Sequence, residues 1–213
     1  MPLRFQVAGA EGARLDELLE LGDRRVGRMM YRPTCPHCTA CEPVRVPVAD
    51  FAPTRSQRRA MRKNTDVRVS WHRPTVTAQH LDLYNRHKLE RDLTRDGQLL
   101  TVNGYYHWLV NSCTDTREAR YWLGDQLIGV GVVDVGAKSS SSVYFYFDPD
   151  HSRRSLGVFS VLKELEYAAV QGRDWHYLGL YVADCQALNY KALYLPHERR
   201  IDGEWRRFSR VER

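Results

Sequence analysis

The sequence lacks the features that mark exported and membrane-spanning proteins. Its 213 residues contain no apolar run of about 18 residues, so it predicts no transmembrane helix and no membrane partner. The first residues carry no apolar signal-peptide core. Its five cysteines are an odd number, which argues against a secreted disulfide framework. We therefore expect a cytoplasmic protein with reduced thiols.

The excess of positive charge is modest, at +6, but the basic residues are clustered. Five cations fall within nine residues with no acidic residue among them. Thr54 is a good N-cap, which predicts a helix over roughly 55–63 with these cations mostly on one side. Such a cluster favours phosphate binding, and a merely solvated face is the alternative. The five residues are Arg55, Arg58, Arg59, Arg62 and Lys63.

A C-x2-C-x2-C run directly precedes the basic segment. It consists of Cys35, Cys38 and Cys41. Ferredoxins place a fourth cysteine at the position that is Arg45 here, so the match to an iron–sulfur run is incomplete. His37, His72 or Cys113 would be needed to complete a zinc or iron–sulfur site. We favour the alternative of reduced thiols at a tight turn, with no cofactor required.

The second half of the chain predicts a mixed sheet with flanking helices. Two apolar runs meet at Gly124-Asp125, which is a hairpin signal. A strand, a long helix, a further strand and a short helix follow. The predicted elements are strands over 118–123, 126–135, 142–147 and 175–182, and helices over 156–170 and 187–193.

This order resembles the acetyltransferase superfamily. The resemblance implies an α/β (α+β) fold with a GNAT-like splayed mixed sheet, plus a smaller cysteine-containing N-terminal region. We expect the two regions to span residues 1–75 and 76–213. Arg154 and Gly157 match part of the superfamily's pyrophosphate turn, at a helix N-terminus suited to anions. Phe159 replaces its last small residue, and we expect it to crowd a pyrophosphate.

Four blocks of the chain together resemble the aminoacyl-tRNA–protein transferases of the N-degron pathway. They span 31–48, 55–64, 141–168 and 177–196. The Tyr-Arg-Pro start and the cysteine run resemble the bacterial leucyl branch. Asp184-Cys185 and the tyrosine-rich strand resemble the related arginyl branch slightly more. The resemblance implies transfer of Leu, or alternatively Arg, from aminoacyl-tRNA to proteins with N-terminal Asp or Glu. These proteins are thereby marked for degradation, and no DNA partner is implied.

This chemistry is aminolysis of an ester, which needs orientation and proton transfer but no nucleophilic side chain. We expect Asp148 to receive the amine or its proton, and Tyr190 to donate to the leaving 3′ oxygen. Arg154 and Lys191 are candidates to bind the acidic acceptor side chain. The five clustered cations are assigned to the tRNA backbone. A turn role for Asp148, a half-buried Tyr190 and solvated charges are the alternatives.

Two further function classes stay open on the sequence. The first is a CoA-dependent N-acetyltransferase, against which Phe159 argues. The second is a non-catalytic RNA-binding module, which would bind tRNA in a salt-sensitive way without turnover.

Overall fold

The computed structural model describes residues 2–7, 9–94 and 97–210. The helices are α1 (Ala13–Glu20), α2 (Arg55–Lys63), α3 (Ala78–Glu90), α4 (Val102–Tyr105), α5 (Leu156–Val170) and α6 (Gln186–Asn189). The strands are β1 (Leu3–Val7), β2 (Arg24–Val26), β3 (Met29–Pro33), β4 (Glu42–Pro47), β5 (Val67–His72), β6 (Asp115–Leu123), β7 (Gln126–Val135), β8 (Ser139–Phe147), β9 (Trp175–Tyr181), β10 (His197–Ile201) and β11 (Glu204–Phe208). Within the described ranges, no helix combines the length and apolar character needed to cross a membrane.

Eight strands form one mixed sheet in the order β11-β10-β4-β9-β8-β7-β6-β5. All neighbouring strands are antiparallel except β8 and β9, which are parallel. The parallel pairing covers only Ser139 to Ser141 against Trp175 to Tyr177. Both strands continue beyond those pairs, so the sheet opens between them. The predicted mixed sheet with flanking helices is thus confirmed.

The N-terminal part of the chain contributes to this sheet as well as forming its own. Strands β1, β3 and β2 make a separate three-stranded sheet. Strand β4 lies between β10 and β9, and β5 pairs with β6 at the opposite edge. The eight-stranded sheet is therefore shared between the two predicted regions, and the boundary at residue 75 stays a prediction.

Local sequence signals explain most element ends. The Thr54 hydroxyl accepts from the Gln57 N–H at 3.3 Å, and the Gln57 side chain accepts from the Thr54 N–H at 2.8 Å. This capping box fixes the start of α2. Strands β2 and β3 are separate, because Gly27 has φ of 55° and turns the chain between them. The Thr77 hydroxyl accepts from the His80 N–H at 3.3 Å and caps the start of α3, which ends at Glu90.

Two apolar layers cover the faces of the large sheet. One packs α3 and α4 against β7 and β8 through Tyr84, Tyr105 and Tyr146. The other packs α5 through Leu162 and Leu165, with Phe159 in a neighbouring cluster. Burial of these side chains holds α5 next to the opening between β8 and β9.

Candidate active site

The opening between β8 and β9 begins after the last parallel pair, Ser141 and Tyr177. The next residue of β8 is Ser142, whose hydroxyl donates to Oε2 of Glu164 on α5. His176 lies beside them, with Nε2 at 3.1 Å from both the Ser142 Oγ and the Glu164 Oε2. Glu164 and His176 are buried. The floor of the opening is therefore a hydrogen-bonded polar group inside an otherwise apolar layer.

Arg24 reaches this opening from β2 of the small sheet. Its Nη2 donates to the Ser142 carbonyl oxygen at 2.5 Å. A Cβ on Gly179 would lie 2.4 Å from Nη1, so only glycine lets the guanidinium lie against β9. Nη1 is shielded from solvent, and no described residue forms a hydrogen bond with it. Burial lowers the pKa of Arg24, as expected for a desolvated cation.

Lys191 and Tyr190 reach the same place from the short 3-10 helix after α6. Lys191 is 7% exposed, and its Nζ donates to the Leu180 carbonyl oxygen at 2.5 Å. Burial, and then the charge of Arg24, lower the pKa of Lys191 to about 7. Burial, and then Glu164, raise the pKa of Tyr190. We call these six residues the split cluster: Arg24, Ser142, Glu164, His176, Tyr190 and Lys191.

Asp148 lies at the far end of β8, about 20 Å along the strand from Ser142. It is 2% exposed and forms a two-pronged ion pair with Arg86, at 3.1 and 3.2 Å. Gln126 Nε2 and the Asp150 N–H also donate to its carboxylate, each at 3.1 Å. These contacts fix the turn that follows β8. The catalytic role of Asp148 stays a prediction.

Arg154 is bound to the end of α2 and the loop after it. Its two terminal nitrogens lie 2.9 and 3.0 Å from the carboxylate oxygens of Asp66, and Nη1 also donates to the Lys63 carbonyl. Asn64 donates to the Arg154 carbonyl at 2.9 Å. Arg154 thus joins α2 to the turn before α5, and its predicted role in binding the acceptor stays untested.

The five predicted tRNA-binding cations are all exposed on α2. Lys63 donates to the Arg153 carbonyl at 3.1 Å, and Arg58 donates to the Pro53 carbonyl. None of the five forms an ion pair with another of the residues that the structure describes. Because Arg153 is exposed beside Lys63, the basic surface continues onto the turn before α5.

The three clustered cysteines are free thiols, with Cys38 exposed and Cys35 and Cys41 partly buried. Burial, and then the neighbouring cysteines including Cys185, raise the pKa of Cys41. Across the described ranges, no three His, Cys, Asp or Glu side chains are arranged to hold a metal. The residues as placed do not fit a zinc or iron–sulfur site, and our preference for uncomplexed thiols stays a prediction.

The expectation about Phe159 needs correction. Its side chain is 1% exposed and packs edge-on against the Tyr121 ring, with centroids 5.9 Å apart. It faces the sheet and leaves the turn at the start of α5 open. No heavy atom lies within 4 Å of a Cβ added at Gly157. Phe159 therefore does not block an anion at that turn, because α5 turns its ring into the core.

The sequence reasoning missed four members of the split cluster: Arg24, Ser142, Glu164 and His176. Arg24 had no visible signal beyond the Arg-Arg pair that precedes Gly27. Glu164 and His176 are charged or polar residues within otherwise apolar elements, and that contrast is a usable signal of buried function. Lys191 and Tyr190 were singled out, and the structure brings both together here.

Comparison with solved structures supports the fold alone. The C-terminal domain of a candidate lysylphosphatidylglycerol synthetase from Agrobacterium fabrum aligns with a TM-score of 0.54 at 12% identity, covering 84% of this chain and 54% of that one. L-PGS from Bacillus licheniformis aligns with a TM-score of 0.50 at 13% identity, covering 79% and 58%.

Sequence comparison is more specific. An aspartate/glutamate leucyltransferase from Acinetobacter baylyi is 42% identical, over 92% of this chain and 73% of that protein. One from Aeromonas hydrophila is 38% identical, over 90% and 80%. The arginine-tRNA-protein transferase N terminus matches residues 4–59, and the C terminus of that family matches residues 79–201. The chain therefore belongs to the arginine-tRNA-protein transferase family.

Proposed function

We propose that this chain transfers leucine from Leu-tRNA to the α-amine of proteins that begin with Asp or Glu. The observation that carries the proposal is the 38 to 42% identity, over most of the chain, to proteins named aspartate/glutamate leucyltransferases. The acceptor amine attacks the ester carbonyl carbon, a C–N bond forms, and the bond to the tRNA 3′ oxygen breaks. The amine loses a proton, and the 3′ oxygen gains one.

The split cluster is the proposed place of this reaction. Tyr190 is a suitable donor to the 3′ oxygen, because its hydroxyl is protonated at neutral pH and the residue is 42% exposed at the cluster. Lys191 is partly neutral near pH 7 and lies close to Arg24, so it suits either acceptor binding or proton removal. Proton transfer to Asp148 stays a prediction, and its four donors favour a role in shaping the turn.

Leucine is favoured over arginine as the donor because an arginyl pocket needs a free carboxylate. Glu164 already bonds Ser142 and His176, and Asp148 and Asp150 both bind Arg86. Asp184 is exposed and remains the carboxylate best placed by sequence to serve an arginyl enzyme. Arginyl transfer to the same acceptors is therefore the second candidate.

The proposed partners are aminoacyl-tRNA, held in part by α2, and cytoplasmic proteins with acidic N-termini. The deciding experiment is a panel of charged tRNAs assayed with peptides that begin with Asp, Glu or Ala. We expect leucyl transfer to the Asp and Glu peptides and none to the Ala peptide. Transfer from Arg-tRNA alone would reverse the choice of donor. Tight tRNA binding without transfer from any charged tRNA would favour an RNA-binding module.

A further inference from the structure

Arg24 carries a positive charge that is shielded from solvent at Nη1 and has no ion-pair partner among the described residues. Within the part of the chain that the structure describes, its guanidinium has one hydrogen bond, to a neutral carbonyl, and its Nη1 has no hydrogen-bond partner. A charge removed from water is costly unless a counter-charge or a full set of hydrogen bonds replaces its hydration. The described residues supply no carboxylate in ion-pair contact with it: Asp134 is near enough to favour its charged form, but the Asp134 carboxylate binds Arg25.

The neighbouring Arg25 shows how this fold buries an arginine for structural purposes. Its Nε lies 2.8 and 2.9 Å from the two carboxylate oxygens of Asp134, and its Nη1 donates to the Gly27 carbonyl at 3.0 Å. Arg25 Nη2, like Arg24 Nη1, has no hydrogen-bond partner among the described residues, so the two arginines differ in the ion pair that Arg25 alone forms. A structural explanation accounts for Arg25 but leaves the charge of Arg24 uncompensated.

A second cation makes the imbalance larger. Lys191 is also buried, has a carbonyl as its hydrogen-bond partner, and is close enough for Arg24 to disfavour its protonation. The Arg24 guanidinium lies against Gly179, and the Lys191 ammonium binds the carbonyl of the next residue, Leu180. These two desolvated cations repel each other. An anion placed between them would relieve both the repulsion and the missing hydrogen bonds.

The position of Arg24 restricts what that anion can be. The guanidinium lies where β8 and β9 separate, between the Ser142 carbonyl and Gly179. Around it Glu164, His176 and Lys191 are buried, whereas Ser142 is partly buried and Tyr190 is 42% exposed. A small planar carboxylate suits the flat fork of an arginine. A nucleic-acid backbone has a better surface on α2.

We propose that Arg24 binds the side-chain carboxylate of the acceptor's first residue and so selects Asp and Glu. This inference rests on the proposed function, which supplies an acidic acceptor. It replaces Arg154, which already holds Asp66, as the arginine that recognises the acid. Arg24 is a specificity residue because it contacts the substrate's side chain and no reacting atom.

The test measures binding of fluorescent peptides to the full chain without tRNA. Two peptides differ only in their first residue, Asp or its neutral isostere Asn. We expect Arg24→Gln to weaken binding of the Asp peptide about 30-fold or more and to leave the Asn peptide unchanged. Arg68→Gln is the matched control, because Arg68 is an exposed arginine on the edge strand β5. It should change neither affinity.

A more conservative variant covers the case in which Arg24→Gln does not fold. Arg24→Lys keeps the charge but loses the planar fork, so the preference for Asp over Asn should shrink about tenfold rather than vanish. Equal losses for the two peptides would show that Arg24 only holds the strands apart. An unchanged preference in both variants would assign the acid to another cation. Either result overturns the proposal.

The peptide experiment is separate from the test of the proposed function. If the wild-type chain binds Asp peptides through Arg24 but transfers no amino acid, the proposed reaction is wrong and the acid site stands. If it transfers leucine while Arg24→Gln keeps its Asp preference, the reaction stands and the acid site is wrong.

Discussion

Arg25 and Asp134 form an ion pair from which solvent is almost wholly excluded, with side chains 0% and 2% exposed. The Thr116 hydroxyl donates to the same carboxylate at 2.7 Å. The pair joins β2 of the small sheet to β7 of the large one. Because Arg24 precedes Arg25 on β2, this anchor also fixes where the Arg24 guanidinium enters the split cluster.

Asp134→Asn should destabilise the fold strongly, because it leaves the Arg25 guanidinium buried without its counter-charge. We expect a loss of about 3–5 kcal/mol in the free energy of unfolding, measured by urea denaturation. Asp50→Asn is the control, since its ion pair with Arg207 is about half exposed on both sides. It should lose no more than about 1 kcal/mol. Similar small losses in both variants would contradict the structural role of the pair.

Replacing Arg58 and Arg62 with Ala should weaken tRNA binding through loss of phosphate contacts. The slope of log affinity against log salt should become shallower by roughly one to two units. Arg4→Ala with Arg14→Ala removes two exposed arginines from other elements and should leave the slope unchanged. A wild-type slope in the α2 variant would remove α2 from the tRNA surface.

Lys191 should impose a pH dependence on stability. Its pKa is about 7 in the native state, against 10.5 for an ordinary lysine. Between these values the unfolded chain binds a proton that the native chain does not, so stability rises with pH. The stability of the wild type relative to Lys191→Met should therefore increase from pH 7 to 9 and be flat below pH 7. Parallel curves for the two proteins would rule out a buried, readily neutralised Lys191.

His87 should make the fold sensitive to acid. Burial lowers its pKa to about 4. Arg91 lies 3.2 Å from His87 Nε2 and can only donate, so Nε2 accepts, while Nδ1 lies 2.9 Å from the Phe147 carbonyl oxygen and 3.1 Å from the Phe147 nitrogen. Native His87 is thus neutral, and stability should fall as pH drops from about 6.5 to 4. His87→Gln should flatten this fall, whereas His37→Gln, at an exposed position, should not.

The cysteines should differ in reactivity according to exposure and thiolate content. Cys38 is exposed, whereas Cys113 is buried and burial raises its pKa. Timed alkylation followed by mass spectrometry should label Cys38 well before Cys113. If Cys35, Cys38 and Cys41 all resist alkylation until a chelator is added, a metal is bound to them. That result would contradict our preference for free thiols.

The sequence predicted elements whose signals are local. The Thr54 capping box, the Gly124 hairpin and the apolar spacing of α5 each determine a structure within a few residues, and the structure has them where they were expected. Lys191 and Tyr190 were found because they follow a predicted strand. Arg24 could not be found in this way, because its significance comes from Ser142 and Gly179, more than 100 residues away in sequence. Contacts of that range leave no periodic signal.

The place of β4 in the large sheet has a consequence for how the chain can be made and divided. It pairs with β9 on one side and β10 on the other, although both are encoded more than 100 residues later. During synthesis both edges of β4 stay unpaired until the last third of the chain has been made. A fragment that begins after residue 75 would lack β4, so the edges of β9 and β10 that β4 normally covers would be unpaired. Such edges can pair with strands of other molecules. Such a fragment should aggregate, so the two parts of the chain should fold only when they are produced as one polypeptide.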